Sequence, residues 1–245
     1  MKIYISADIE GIGTVVRSEH SSVDGREYGA ARRCMTQEVN AAIRGAYDAG
    51  ATAVTVCDAH NVGLNILPED LDERADLIMG GPRPLAMMEG IEAGYDAVFF
   101  IGYHARAGTA DGPIAHVFTG RIAEVRLNGL PVGEIGLNAV LAGHFEVPVA
   151  LVTGDEAAAR EAAGLLDGVE TVAVKRGIGA YAARCLHPNR CRTLVYEGAV
   201  RALSENRRRK PFRLKGETAL EIRFTTASGA DRVLRMPGKI GRAHV

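Results

Sequence analysis

The chain reads as an α/β protein of three layers, with helices on both faces of a mostly parallel sheet and a smaller α+β part at its C-terminal end. Three observations predict this. Short apolar runs at 3–7, 53–57 and 97–101 have the length and residue types of buried strands, and a helical period separates the first two. The 29 glycines and many alanines, beside only 5% aromatics, suit helices packed closely on a sheet. The hydrophobic (47%) and charged (24%) fractions of 245 residues are those of a globular chain long enough for a full core.

Taken in order, the first strand (3–7) runs into Asp8-Ile9-Glu10-Gly11, and a polar loop covers 17–25. Met35, Val39, Ala42, Ile43, Ala46 and Tyr47 recur at three- and four-residue spacing, predicting a helix over 26–49 that Gly50 stops. The strand at 53–57 then ends in Asp58-Ala59-His60. Strand, helix and strand make a βαβ unit, whose right-handed crossover implies parallel pairing. Residues 61–75 read as a loop with room for one short helical turn, 76–79 as a short strand and 84–93 as a short helix with Met87, Met88 and Ile91 on its apolar side. The run 97–101 is the most clearly buried strand and delivers Gly102-Tyr103-His104. A glycine-punctuated loop, 105–115, leads to His116. Asn128-Gly129 between 122–127 and 130–132 predicts a hairpin. Glu134 opens a helix to about His144, Pro148–Asp155 is a strand capped into a helix ending near Gly168, and 169–174 is a further strand. Composition changes after Lys175, which divides the chain into 1–175 and a smaller part, 176–245. In that part Gly177-Ile178-Gly179 reads as loop, Pro188 starts a helix to about Arg207, and 220–224 and 233–236 alternate like half-exposed antiparallel strands.

A net charge of −1 leaves no electrostatic footprint for nucleic acid or an anionic membrane. The cationic run Arg207-Arg208-Arg209-Lys210 reads as a solvated helix end. No apolar run is long enough to span a bilayer, and a carboxylate at position 8 comes too early for a signal peptide, so the expected location is cytoplasmic. Cys34, Cys57, Cys185 and Cys191 lack paired spacing and read as reduced core residues. Gly11-Ile12-Gly13 lacks the third glycine of a phosphate fingerprint.

Three strands, then, end in ligand-type residues: Asp8 and Glu10, Asp58 and His60, and His104. In extended backbone residues i and i+2 share a side, so Asp8 and Glu10 face one small volume, where they repel unless a cation or proton lies between them. Open α/β sheets bind ligands beyond the strand C-termini. Carboxylate and imidazole donors suit Zn²⁺ or another first-row ion, and this set has room for two metals with Asp8 as the bridge. Such a pair lowers the pKa of a shared water and polarises a bond for hydrolysis. Asp58 is either a ligand or an orienter of a ligand histidine. His20, His144, His187 and His244 read as structural or solvent-facing.

Ser6-Ala7-Asp8-Ile9-Glu10-Gly11, Asp58-Ala59-His60, Gly102-Tyr103-His104-Ala105-Arg106, His116 and Val132-Gly133-Glu134-Ile135-Gly136-Leu137-Asn138 resemble the zinc-dependent D-aminopeptidases, first described as dipeptide-transport-associated proteins. The resemblance runs from residue 1 to about 225. It implies two zinc ions per subunit on Asp8, Glu10, His60, His104 and Glu134. By itself Glu134 would pass as a first-turn helix carboxylate. His116 matches the family's catalytic histidine, described as a nucleophile; a general acid/base is an equal physical reading. The implied reaction releases N-terminal D-residues, D-alanine above all, from short peptides through a metal-activated water, inside a ring-stacked homodecamer. Two readings compete: a metal-dependent amide or ester hydrolase of other specificity, and a non-enzymatic peptide-binding component of a transport system. Family members continue past the present end through a strand and a helix. The expectation is a longer natural chain, with 239–245 foreign to it.

Overall fold

Strands that are apolar on both faces must be covered on both, and this sheet is. The computed structural model describes residues 1–204 and 209–233. β1 (Lys2–Ala7), α1 (Ser18–Ser21), α2 (Tyr28–Asp48), β2 (Ala53–Asp58), β3 (Ala75–Ile78) and β4 (Ala97–Tyr103) come first. They are followed by β5 (Ile122–Leu127), β6 (Leu130–Val132), α3 (Glu134–His144), β7 (Val149–Asp155) and α4 (Glu156–Leu165). β8 (Glu170–Gly179), β9 (Ala182–Cys185), α5 (Pro188–Ala202), β10 (Leu220–Phe224) and α6 (Ala227–Val233) complete the described chain. Seven strands form one sheet in the order β3-β2-β1-β4-β7-β8-β9, parallel except for the β8–β9 hairpin. The predicted α/β class is the observed one.

Alternation along each strand divides the core in two. Ile3, Ile5, Val54, Val56, Phe99 and Ile101 face α2 and α5, whereas Tyr4, Val98, Phe100 and Val152 face α3 and α4. Every residue of β4 is buried, and each large apolar side chain so placed contributes about 1.5–3 kcal/mol. β10 pairs with the β5–β6 hairpin in a separate three-stranded antiparallel sheet over a small core of Val117, Val125, Leu127 and Val132.

Several local expectations meet a different outcome. Residues 84–93 form two 3-10 turns, Ala86–Met88 and Ile91–Ala93, broken by left-handed backbone at Gly90 (φ +90°). Gly177-Ile178-Gly179 is the end of β8, paired antiparallel with β9. β8 runs unbroken through Lys175, and α5 contributes Cys191, Val195 and Ala199 to the same core as α2. The helix from Pro188 ends at Ala202. Of the expected strand 233–236, Val233 ends α6 and 234–236 lie outside the described residues, as do Arg207, Arg208 and 239–245.

Candidate metal centre

The chain moves outward from β1 to β2 and β3 and then returns to the far side of β1 as β4, so the topological switch point lies between β1 and β4. The strand ends are level, with Ala7 paired to both Asp58 and Ile101. Asp8 N–H extends the ladder to Ile101 O at 2.8 Å, and Ala59 N–H reaches Ala7 O at 2.8 Å. Two glycines let the turns beyond β1 and β4 touch. A Cβ on Gly11 would lie 1.9 Å from Tyr103 O, and one on Gly102 (φ +72°) would lie 2.2 Å from Asp8 O. Only glycine tolerates that approach.

Asp8 stands in the middle of the cluster this creates. Its Oδ1 is 3.3 Å from His60 Nδ1 and its Oδ2 is 3.6 Å from His104 Nε2. His60 Nδ1 is also 2.9 Å from Glu10 Oε2, and His104 Nε2 is 3.4 Å from Glu134 Oε1. Beyond His104, His116 stacks on it at 4.2 Å between ring centres, with its Nε2 3.9 Å from Glu134 Oε1. Asp8, Glu10, His104 and Glu134 are buried, while the His60 and His116 side chains are 13% and 22% exposed. Five of the six, all but His104, line one cavity of about 940 Å³, with α1 and Tyr181 on its walls.

Each ring is oriented by a main-chain carbonyl. His60 Nε2–H donates to Ser21 O at 2.9 Å, His104 Nδ1–H to Ala105 O at 3.0 Å and His116 Nδ1–H to Ile114 O at 2.8 Å. Such a bond fixes the tautomer and turns the other nitrogen's lone pair inward. The inward groups are short of partners: among the described residues Asp8 Oδ2 and His104 Nε2 are buried without a hydrogen bond, and Glu10 Oε2 meets only the His60 ring. Burial disfavours the His60 imidazolium, but Glu10 and Asp8 outweigh it and push its pKa up to about 12. His104 is likewise pushed up to about 10, by Glu134 and Asp8 against its burial. Burial and the neighbouring Glu10 raise Asp8 to about 7, whereas the imidazoles hold Glu10 and Glu134 below their ordinary values despite burial. Three carboxylates here need positive charge, and a divalent cation on oxygen and imidazole donors meets that need. The residues fit zinc.

The profile of the D-aminopeptidase family matches residues 1–242. A curated D-aminopeptidase of Bacillus subtilis (strain 168) is 38% identical over 238 residues, covering 97% of this chain and 86% of the relative. The solved structure of the Zn-dependent D-aminopeptidase DppA from Bacillus subtilis, described as a self-compartmentalizing protease, superposes with a TM-score of 0.95 at 38% identity. That match covers 98% of this chain and 88% of the other. The chain belongs to the D-aminopeptidase family. It is therefore a peptidase, a hydrolase.

In this member of the family the remaining candidates sort themselves by contact. Asp58 faces away from the cluster: its Oδ2 accepts from Asn65 N and Ile66 N, and Asn65 Nδ2 donates to His60 O at 2.7 Å. Asp58 thus shapes the loop that carries His60 without touching the ring. His187 Nδ1 accepts from Asn189 N at the start of α5, and His144 lies edge-on to Phe145 at the end of α3. His20 lies on α1, and His244 is outside the described residues. Two further residues hold the site together. Glu161 accepts from Arg106 N at 2.9 Å and Gly133 N at 3.0 Å, tying the turn after His104 to the residue before Glu134. The buried Lys175 ammonium donates to the carbonyls of Glu10, Ile12 and Val15. A lysine continuing the apolar run Val172-Ala173-Val174 was a readable signal for the second; nothing in the alanine-rich helix marked the first.

Proposed function

We propose that this chain is a zinc-dependent D-aminopeptidase that releases N-terminal D-residues, D-alanine above all, from short peptides. Two zinc ions per subunit would be held by Asp8, Glu10, His60, His104 and Glu134. The observation that carries this is the position of Asp8, with one oxygen toward the His60–Glu10 pair and the other toward the His104–Glu134 pair. A pair of divalent cations on these donors supplies Lewis acidity and makes water nucleophilic at neutral pH.

The chain's own residues do the rest. His116 donates its Nδ1 proton to Ile114 O, so Nε2 faces the cavity as a base. It takes the proton of the attacking water as oxygen adds to the peptide carbonyl carbon, and returns it to the leaving nitrogen as the C–N bond breaks. Ile114 (φ +55°) and Phe118 (φ +54°) flank it in left-handed backbone, and Phe118 N–H donates to Glu134 Oε1 at 2.6 Å. That strained loop keeps the imidazole beside the carboxylate it must work with. The cavity volume is that of a small-ligand site and suits short peptides better than folded proteins.

We carry over two further expectations from the family. Self-compartmentalization, said of the Bacillus subtilis relative, supports a homo-oligomer here, a decamer in our reading; Ile178 and Tyr181 on the β8–β9 hairpin are exposed apolar side chains available to such contacts. Among the described residues no helix is long and apolar enough to cross a membrane, and we assign the protein to the cytoplasm. The deciding experiment assays zinc-loaded protein on the p-nitroanilides of D- and L-alanine. We expect a clear D preference; preference for the L substrate would overturn the assignment.

A further inference from the structure

Carboxylates dominate the charge on the cavity wall. Asp8, Glu10, Asp24 and Glu134 line it, and among the described residues Arg83 is its single arginine, with no lysine. The guanidinium is anchored: Nη2–H donates to Asp58 O at 2.7 Å and lies against Gly63, where a Cβ would come within 3.1 Å of Nη2. Nη1 is buried and has no hydrogen-bond partner among the described residues. An arginine restrained by a main-chain carbonyl, with donors left over, is preorganised for a planar anion.

Its position matches one part of a peptide. The anchor, Asp58, ends the strand that leads to His60. Beside Asp8, Glu10, Asp24 or Glu134 a free carboxylate would meet like charge, whereas at Arg83 it meets the opposite charge.

We propose that Arg83 binds the C-terminal carboxylate of the substrate, which makes free-acid peptides preferred over C-terminally blocked ones. The inference rests on the aminopeptidase reading above and adds to it an end-group requirement. C-terminally blocked peptides bring no anion to this point.

The test compares zinc-loaded wild type, Arg83→Gln and Arg83→Lys on D-alanyl-D-alanine, its C-terminal amide and D-alanine p-nitroanilide, with zinc content measured for each protein. Wild type is expected to favour the free acid over the amide. Arg83→Gln should lower kcat/KM for the free acid by about 100-fold, mostly through KM, as expected when one member of a desolvated charge pair is removed. Its acid-to-amide ratio should fall to near one at unchanged zinc content, and Arg83→Lys should restore part of the ratio. Equal losses on acid and amide would overturn the proposal, and so would a wild-type ratio near one, which decides the matter even if Arg83→Gln fails to fold. Wild type inactive on all three D-substrates would overturn the aminopeptidase reading and this assignment with it.

Discussion

The site has two kinds of support, and they differ in what they permit. Asp8, Glu10 and His104 follow directly from the ends of β1 and β4, are 4% exposed or less, and sit where ladder bonds and glycine contacts fix the main chain. His60 and His116 come from loops, are partly open to the cavity, and owe their ring orientation to a single carbonyl each. The strand-end group can hold charge in one place; the loop-borne pair can adjust as a substrate enters. If that division is real, substitutions in the first group should remove metal, and substitutions at His116 should remove turnover while leaving metal in place.

Asp8→Asn is the largest break. It keeps the shape and the oxygen that accepts Ile9 N–H at 2.8 Å, but a neutral amide does not bridge two cations. Zinc content is expected to fall from two per chain to one or none, and kcat/KM by more than about 10³-fold. The same change removes a carboxylate whose charge burial and Glu10 disfavour, so the metal-stripped variant should melt a few degrees above metal-stripped wild type. Zinc analysis and calorimetry check both halves; full occupancy in the variant would refute the bridge. His116→Ala comes next. Loss of general acid/base catalysis should cost about 10²- to 10⁴-fold in kcat, with zinc content unchanged from wild type. Metal loss in that variant would place His116 among the ligands and erase the distinction between the two groups.

How much of this was legible depended on whether a residue's chemistry broke its local pattern. Asp8 and His104 stood out because they end apolar runs that need no polar residue, and His60 shares that edge because the parallel ladder keeps β1 and β2 in register. Glu134 was invisible to spacing, since a glutamate in a first helical turn already has a reason to be there; family resemblance alone supplied it. Asp58 broke its pattern too, yet its role is to shape a loop, a distinction that only contacts could make. The fold was legible where periodicity was strong, as in the helix over 26–49. It failed at Gly177-Ile178-Gly179, where the pairing partner and not the residues themselves makes the strand.

Glu161→Gln probes the link between strand end and helix start. An amide can accept only one of the two main-chain N–H bonds that Glu161 now accepts and turns its own donors toward the other. We expect a stability loss of about 1–3 kcal/mol and a 10- to 100-fold weaker zinc affinity, measured by competition with a chelator. Unchanged affinity with lowered stability would limit Glu161 to a structural role.

The smallest effect is a proton count, and it separates His60 from His104. With no metal bound, both imidazoles carry protons at pH 8, because their pKa values lie at about 12 and about 10. Asp8, at about 7, is mostly ionised there. The sign follows from linkage. Imidazoles raised above their ordinary value stabilise the metal-free fold fully below about 6.5, and that contribution disappears as pH rises through the His104 value and then the His60 value. Metal binding requires both rings neutral, so affinity must climb with pH over the same range. Titration calorimetry in two buffers of different ionisation enthalpy should therefore report about two protons released per chain at pH 8, rising toward three as pH falls through 7 and Asp8 must also give one up. His60→Gln should release about one fewer. No release in wild type at pH 8 would mean that the buried carboxylates do not hold the imidazoles protonated, and the electrostatic argument for a cation at this centre would lose its basis.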